Sequence, residues 1–258
     1  MRFGICTTIE KAAPARDAGW DYIEESVQGL LQGLESDERW TGRDRAKASP
    51  LPILACNMLV PAALKVTGPD VDPDKLAAYM RNVLRRADKL DIRMLVFGSG
   101  GARQVPEGFP RDDAAEQIGE FLRTSAAVAG EHGVTIVIEP LNCGECNIIN
   151  TVAEAMKYVA VVGHPNLRCL VDSFHFWLED EPLENLREAV PAIAHVHVAD
   201  KVGRTAPGES GQSDYRPFFR VLKDGGYDGL ISVEAKDFDV APSGRKVLEF
   251  LRKQWNEA

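Results

Sequence analysis

The sequence predicts an α/β fold, a single (β/α)8 TIM barrel forming one domain over residues 1–258. Three observations lead there. Eight short β-branched runs alternate with longer helical patterns, the chain's 258 residues match the ~250 such a barrel needs, and no linker or low-complexity tract divides it. An open doubly wound sheet would share the alternation. Its dinucleotide-binding form carries Gly-x-Gly-x-x-Gly after the first strand, and none follows here.

Taken in order, the strands are read at "RFGIC" (2–6), "DYIEES" (21–26), "ILACNM" (53–58), "MLVFGS" (94–99), "TIVIE" (135–139), "RCLVD" (168–172), "HVHVAD" (195–200) and "LISVEA" (230–235). Helical spacing of Leu76, Tyr79, Met80, Val83, Leu84 and Ala87 marks "DKLAAYMRNVLRRADKL". "DDAAEQIGEFLRTSAAVAGEHG" closes on Gly133, a left-handed cap. "TVAEAMKYVAVVG" opens with Thr151 and Glu154, a capping-box spacing. "APSGRKVLEFLRKQW" supplies the last helix, and "LLQGLESDERW" reads as a lid-like insertion bringing Trp40 towards a site.

Composition bounds the function. With 45% hydrophobic and 27% charged residues the chain is an ordinary globular protein. A formal net charge of −9 disfavours nucleic acid and anionic membranes as partners. No apolar leader and no run of ~18 apolar residues occurs, and five cysteines are an odd number, so the expectation is a reducing cytoplasm without disulfides. A homo-oligomer stays open.

In a barrel the active face lies at the C-terminal strand ends. Those ends carry Glu139, Asp172, His197 and Glu234. Alternation puts Glu139 with Val137 and Thr135 on one face, leaving Ile136 and Ile138 for the helices. His195 and His197 oppose Val196 and Val198, Ser232 and Glu234 oppose Ile231 and Val233, and Asp172 opposes Val171. A lone carboxylate at a strand end more often caps a helix or pairs in a loop. Three carboxylates and an imidazole with consistent parity instead make a site for one divalent cation, Mn²⁺ first, with Mg²⁺ or Co²⁺ as alternatives.

"VIEPLNCGE", "LVDSFHF", "HVHVAD…R…PGESGQSD" and "SVEAK" together resemble the xylose isomerase-like barrels of the sugar phosphate isomerases/epimerases, and among them the ketose 3-epimerases. The resemblance runs in order through the C-terminal half; the N-terminal half shares only the βα rhythm. It implies that Glu139, Asp172, His197 and Glu234 hold the metal, with Glu139 and Glu234 as the catalytic acid/base pair. It further implies that Glu145, His175 and Arg204 bind substrate. Arg204 departs from the pattern, standing seven residues past His197 where the epimerases have six, with Gly203 at the expected position.

The implied activity is an isomerase or epimerase on a keto-sugar or related polyol, working by proton abstraction and a metal-stabilised enediolate. A lyase on the same scaffold, dehydrating a keto-inositol or eliminating from a 3-keto-glycoside, would use the same groups. An apurinic endonuclease would want more histidines than the five present, and a non-catalytic sugar-binding barrel would lack one of the four ligands. His195 reads as a buried partner one layer below His197, "CGEC" as loop cysteines flanking Glu145, and Glu24, Glu25 and Asn57 as lining the pocket or satisfying loop backbone groups.

Overall fold

Parallel strands need a crossover of a dozen or more residues between them, and this chain supplies one after each β-branched run. The computed structural model describes residues 1–258. Its strands are β1 (Arg2–Cys6), β2 (Tyr22–Ser26), β3 (Ile53–Asn57), β4 (Met94–Phe97), β5 (Thr135–Ile138), β6 (Leu167–Asp172), β7 (Ile193–Val198) and β8 (Leu230–Val233). Each pairs in parallel with the next and β1 closes on β8, so the expected barrel is the observed one. The expected strands overrun the observed ends mainly at the C-terminal face of the barrel. There Glu139 and Glu234 keep one ladder bond each, Glu139 N to Phe97 O and Glu234 N to Val198 O, while the chain turns into its loop.

Helices fill the crossovers: α1 (Ala12–Ala18), α2 (Val27–Leu30), α3 (Gly42–Lys47), α4 (Pro73–Lys89), α5 (Gly100–Arg103), α6 (Arg111–Glu131), α7 (Val152–Val162), α8 (Ser173–Leu178), α9 (Leu183–Ala189), α10 (Arg216–Asp224) and α11 (Val240–Glu257). None is long and apolar enough to cross a membrane. Asp72 caps α4 through Lys75 N, Pro73 starts it, and the predicted apolar stripe is the buried one. Thr151 accepts from Glu154 N at the start of α7, and the Glu154 carboxylate takes Asn150 N in return. All five cysteines are free.

Inside the barrel, Val96, Val137 and Leu170 form a small apolar plug, separate from the shell between strands and helices. The parity read from the sequence therefore holds: Ile136, Ile138, Val196, Val198, Ile231 and Val233 belong to the outer core. In β7 one extra residue, Ala194, separates the Cys169–Ile193 pair from the Leu170–His195 pair. That shift sets Asp172 beside His197 and His197 beside Ser232.

The insertion after β2 does not bring Trp40 to the site. Arg86 on α4, fully buried, donates to Leu31 O, Gln32 O and Glu35 O and pairs with Asp37. Its guanidinium sits 4.9 Å from the centre of the Trp40 ring, whose Nε1 donates to Leu30 O. One buried cation thus ties down five residues of this segment, where a lid would need to be loose.

Candidate functional site

Above the apolar plug the lumen turns polar. One donor atom from each of Glu139, Asp172, His197 and Glu234 lies within 4.8 Å of all the others. His197 Nδ1 is 3.0 Å from Glu139 Oε1 and 3.4 Å from Glu234 Oε2. Glu139, Asp172 and His197 are buried, and Glu234 is partly open to the mouth.

Each member is held by local chemistry. Arg103, also fully buried, donates to Phe97 O, Glu139 O and Ile149 O, which fixes the backbone from which Glu139 projects. Gly98 leaves the space its carboxylate occupies: a Cβ there would stand 2.2 Å from Glu139 Oε2. Asp172 divides its work. Oδ1 caps α8 by accepting from Phe174 N at 2.8 Å, while Oδ2 is buried without a partner. The capping reading and the ligand reading of this strand-end carboxylate are thus compatible. Asn57, at the end of β3, donates to Glu234 Oε1 at 3.0 Å.

Arg204 reaches the cluster. Two successive residues of its loop are left-handed, Gly203 (φ 74°) and Arg204 itself (φ 52°). Its Nη2 is 2.5 Å from Glu234 Oε2 and 3.5 Å from Asp172 Oδ2, Nη1 is 3.3 Å from Glu145 Oε1, and the guanidinium lies 4.9 Å from the Phe174 ring centre. Asp200 holds the far side of the same loop, accepting from Gly208 N, Ser210 N, Ser210 Oγ and Tyr215 OH. That anchoring engages Gly208 and Ser210 of the "PGESGQSD" stretch.

His175 is buried, and its Nδ1 accepts from Asn142 N, so Nε2 carries the proton. That Nε2 has no partner and lies 3.7 Å from the unpartnered Asp172 Oδ2. Glu145 stands at the rim, 42% exposed, tied to Asn142 Nδ2 and Arg204. With Phe174, Leu178, Lys201, Gly203, Arg204, Glu234, Ala235 and Lys236 it lines an open cavity of about 670 Å³.

Electrostatics separate the two glutamates. Burial and then the neighbouring Glu234 push Glu139 above the usual carboxylate range. Burial also works on Glu234, but His197 and Arg204 prevail and hold it at about 2. Three carboxylates, two of them buried, converge on one imidazole and one arginine, and any uncompensated ion in such a site costs several kcal/mol. The donor set fits a hard divalent cation: oxygen-rich, one imidazole nitrogen, and one buried carboxylate oxygen that makes no hydrogen bond.

Of the residues left open between pocket lining and loop backbone, Glu24 faces inward and bonds both lumen histidines, and Asn57 holds Glu234; Arg103, which holds Glu139, was missed by sequence reasoning. Glu25 does what a loop carboxylate does, accepting from Ile9 N and Ser26 N.

The fold and this cluster define a (β/α)8 barrel with a polar, carboxylate-rich C-terminal face. The chain belongs to the xylose isomerase-like TIM barrel family, whose profile matches residues 12–254. A human protein provisionally named hydroxypyruvate isomerase is 31% identical over 197 residues, covering 71% of this chain and 68% of that protein. D-psicose 3-epimerase of Agrobacterium fabrum is 27% identical over 164 residues, covering 61% and 55%. The chain spans 58% of the length of the corresponding mouse protein. Among solved structures, D-psicose 3-epimerase of Clostridium cellulolyticum superposes with a TM-score of 0.84 at 21% identity, covering 99% of each chain, a likeness of fold.

Proposed function

We propose that this chain is a divalent-metal-dependent isomerase or epimerase that acts on a keto-sugar or related polyol by removing a proton beside a carbonyl. The observation that carries this reading is the convergence of Glu139, Asp172, His197 and Glu234 within 4.8 Å at an open mouth. These four would hold one divalent ion, with Mn²⁺ best suited and Mg²⁺ or Co²⁺ acceptable. When bound, the ion polarises the substrate's carbonyl and steadies the negative charge that develops on it, as an enediolate requires.

Glu139 and Glu234 move the proton. One takes the carbon-bound proton from one face and the other returns a proton from the opposite face; in the reverse reaction their roles exchange. His175 Nε2–H and the Arg204 guanidinium are donors for substrate oxygens, and Glu145 accepts from a hydroxyl at the rim. Phe174 offers an apolar wall.

The names of relatives support the reading: D-psicose 3-epimerase, and a 3-dehydro-D-guloside 4-epimerase of Escherichia coli 30% identical over 155 residues. Isomerisation between neighbouring carbons of a keto acid is a second reading, favoured by the hydroxypyruvate isomerase relatives and by Lys201 and Lys236 at the mouth, cations that a carboxylate-bearing substrate could meet.

A keto-sugar and keto-acid panel in D₂O, followed by NMR, tests both. The expected result is a product carrying deuterium at the reacting carbon, lost with chelator and restored by Mn²⁺. Glu139→Gln and Glu234→Gln should each cut turnover by several orders of magnitude while folding normally. Full activity in either variant would remove the acid/base assignment.

A further inference from the structure

Directly beneath the four-donor cluster lies a buried polar group that the reaction above does not use. Glu24, on β2, reaches across the lumen to β7 and β8. Its Oε1 is 3.0 Å from His197 Nε2, and its Oε2 is 2.7 Å from His195 Nε2 and accepts from Ser232 Oγ at 2.6 Å. Tyr22 OH is 2.8 Å from the same Ser232 oxygen, and His195 Nδ1 faces Leu230 O at 3.1 Å. Every one of these side chains is buried, at 1% exposure or less. Room for Tyr22 is made by Gly4, where a Cβ would come within 2.2 Å of the ring.

An apolar residue at position 24 would extend the plug of Val96, Val137 and Leu170 at no desolvation cost, whereas a buried carboxylate costs several kcal/mol unless well partnered. The chain instead surrounds the carboxylate with donors. A carbonyl only accepts, so His195 Nδ1 donates to Leu230 O; its Nε2 donates to Glu24 as well only as the doubly protonated imidazolium, and Glu24 is then the acceptor for His195, Ser232 and His197 together. His197 has two ring nitrogens, and which one is left bare depends on the bond the other makes.

We propose that Glu24 is the positioning residue for His197. By accepting the Nε2–H it holds the imidazole in one rotation and one tautomer, so that the bare Nδ1 faces Glu139, Asp172 and Glu234. His195 and Ser232 hold Glu24 in turn. The inference rests on the metal reading above and adds a residue outside the four ligands on which affinity for the ion depends.

The test is Mn²⁺ titration calorimetry on chelator-stripped full-length chain, with Glu24→Gln as the main variant. Gln keeps the shape but offers one acceptor oxygen and one NH₂, so it cannot accept from all three donors. Loss of about 10–100-fold in Mn²⁺ affinity is expected, with one ion per chain in the wild type. Ser232→Ala, which leaves the Glu24–His197 contact in place, should keep affinity within about threefold of the wild type. A readout that needs no variant comes from ¹⁵N-histidine NMR of the wild type with and without Zn²⁺: the imidazole whose Nδ1 resonance moves on Zn²⁺ binding should carry a proton on Nε2, whereas His175 should show that tautomer in both states.

Wild-type affinity in a folded Glu24→Gln chain would overturn the positioning role and leave the metal reading standing. So would Zn²⁺ on Nε2, or a second ion lost with Glu24, since Glu24, His195 and His197 would then be ligands themselves. A wild-type chain that takes up no ion would overturn both. Should Glu24→Gln not fold, the Zn²⁺ spectrum and the Ser232→Ala affinity decide the matter.

Discussion

Gly98→Ala isolates the placement of Glu139 from the stability of the barrel. An alanine Cβ would stand 2.2 Å from Glu139 Oε2 and 3.3 Å from its carboxyl carbon, where ordinary contact begins at 3.4 Å. The oxygen must therefore retreat by about 1 Å. Gly98 has no left-handed backbone to preserve, so alanine is tolerated locally and should be neutral or slightly stabilising, by about 0.4–1 kcal/mol at most. Arg103 pins the Glu139 carbonyl, so the backbone cannot follow the side chain and the displacement falls on the carboxylate. A misplacement of about 1 Å in a catalytic group costs on the order of 10²-fold in rate, or about 2.7 kcal/mol of transition-state stabilisation. Mn²⁺ affinity should fall as well, because one donor leaves the cluster. The assays are a melting curve, Mn²⁺ calorimetry and turnover of whichever panel substrate the wild type accepts. An unchanged melting temperature with roughly 10²-fold slower turnover is expected. Wild-type turnover together with wild-type affinity would refute the claim that the empty volume at Gly98 is what places Glu139.

Two further outcomes follow from the same groups. Burial works against a charge on His197, but Glu24, Glu234, Cys6 and Glu139 prevail and raise its proton affinity well above the ordinary value, so the ion must displace a proton. Mn²⁺ affinity should rise with pH, by up to about tenfold per unit below that raised pKa, and calorimetry at pH 7 in two buffers of different ionisation heat should register at least one proton released per ion; release of none would contradict it. Arg103→Met would orphan the Glu139 carbonyl, while those of Phe97 and Ile149 keep Glu139 N and Leu141 N, costing about 1–3 kcal/mol and lowering the melting temperature by roughly 2–12 °C; a fall under about 2 °C would show that the Glu139 carbonyl finds another donor.

What could be read from the residues alone, and what could not, divides along a physical line. Glu139, Asp172, His197 and Glu234 were legible because each interrupts a run of β-branched residues whose alternation says which face is the lumen, and neighbouring strands repeat the pattern. Glu24 had no such label. It stands beside Glu25, two carboxylates on opposite faces of a short strand, and which one enters the lumen depends on how β2 pairs with β3, where the register slips between Ile23 and Glu24. Its partners His195 and His197 lie 171 and 173 residues away and meet it only because the barrel closes. The buried arginines were hidden for another reason: Arg86 and Arg103 are answered mainly by backbone carbonyls, which every residue possesses, so no side-chain pattern announces them. Trp40 was misplaced on that account, since the cation it stacks on comes from α4 and was not legible as a buried one. Arg204 shows the converse. Counting residues put it one position out of step, yet its loop, with Gly203 and Arg204 both left-handed, carries the guanidinium to Glu234. Spacing along a loop thus constrains a site less than parity along a strand does, because a loop can absorb a residue by changing backbone conformation, whereas a strand that gained one would turn every following side chain to the other face.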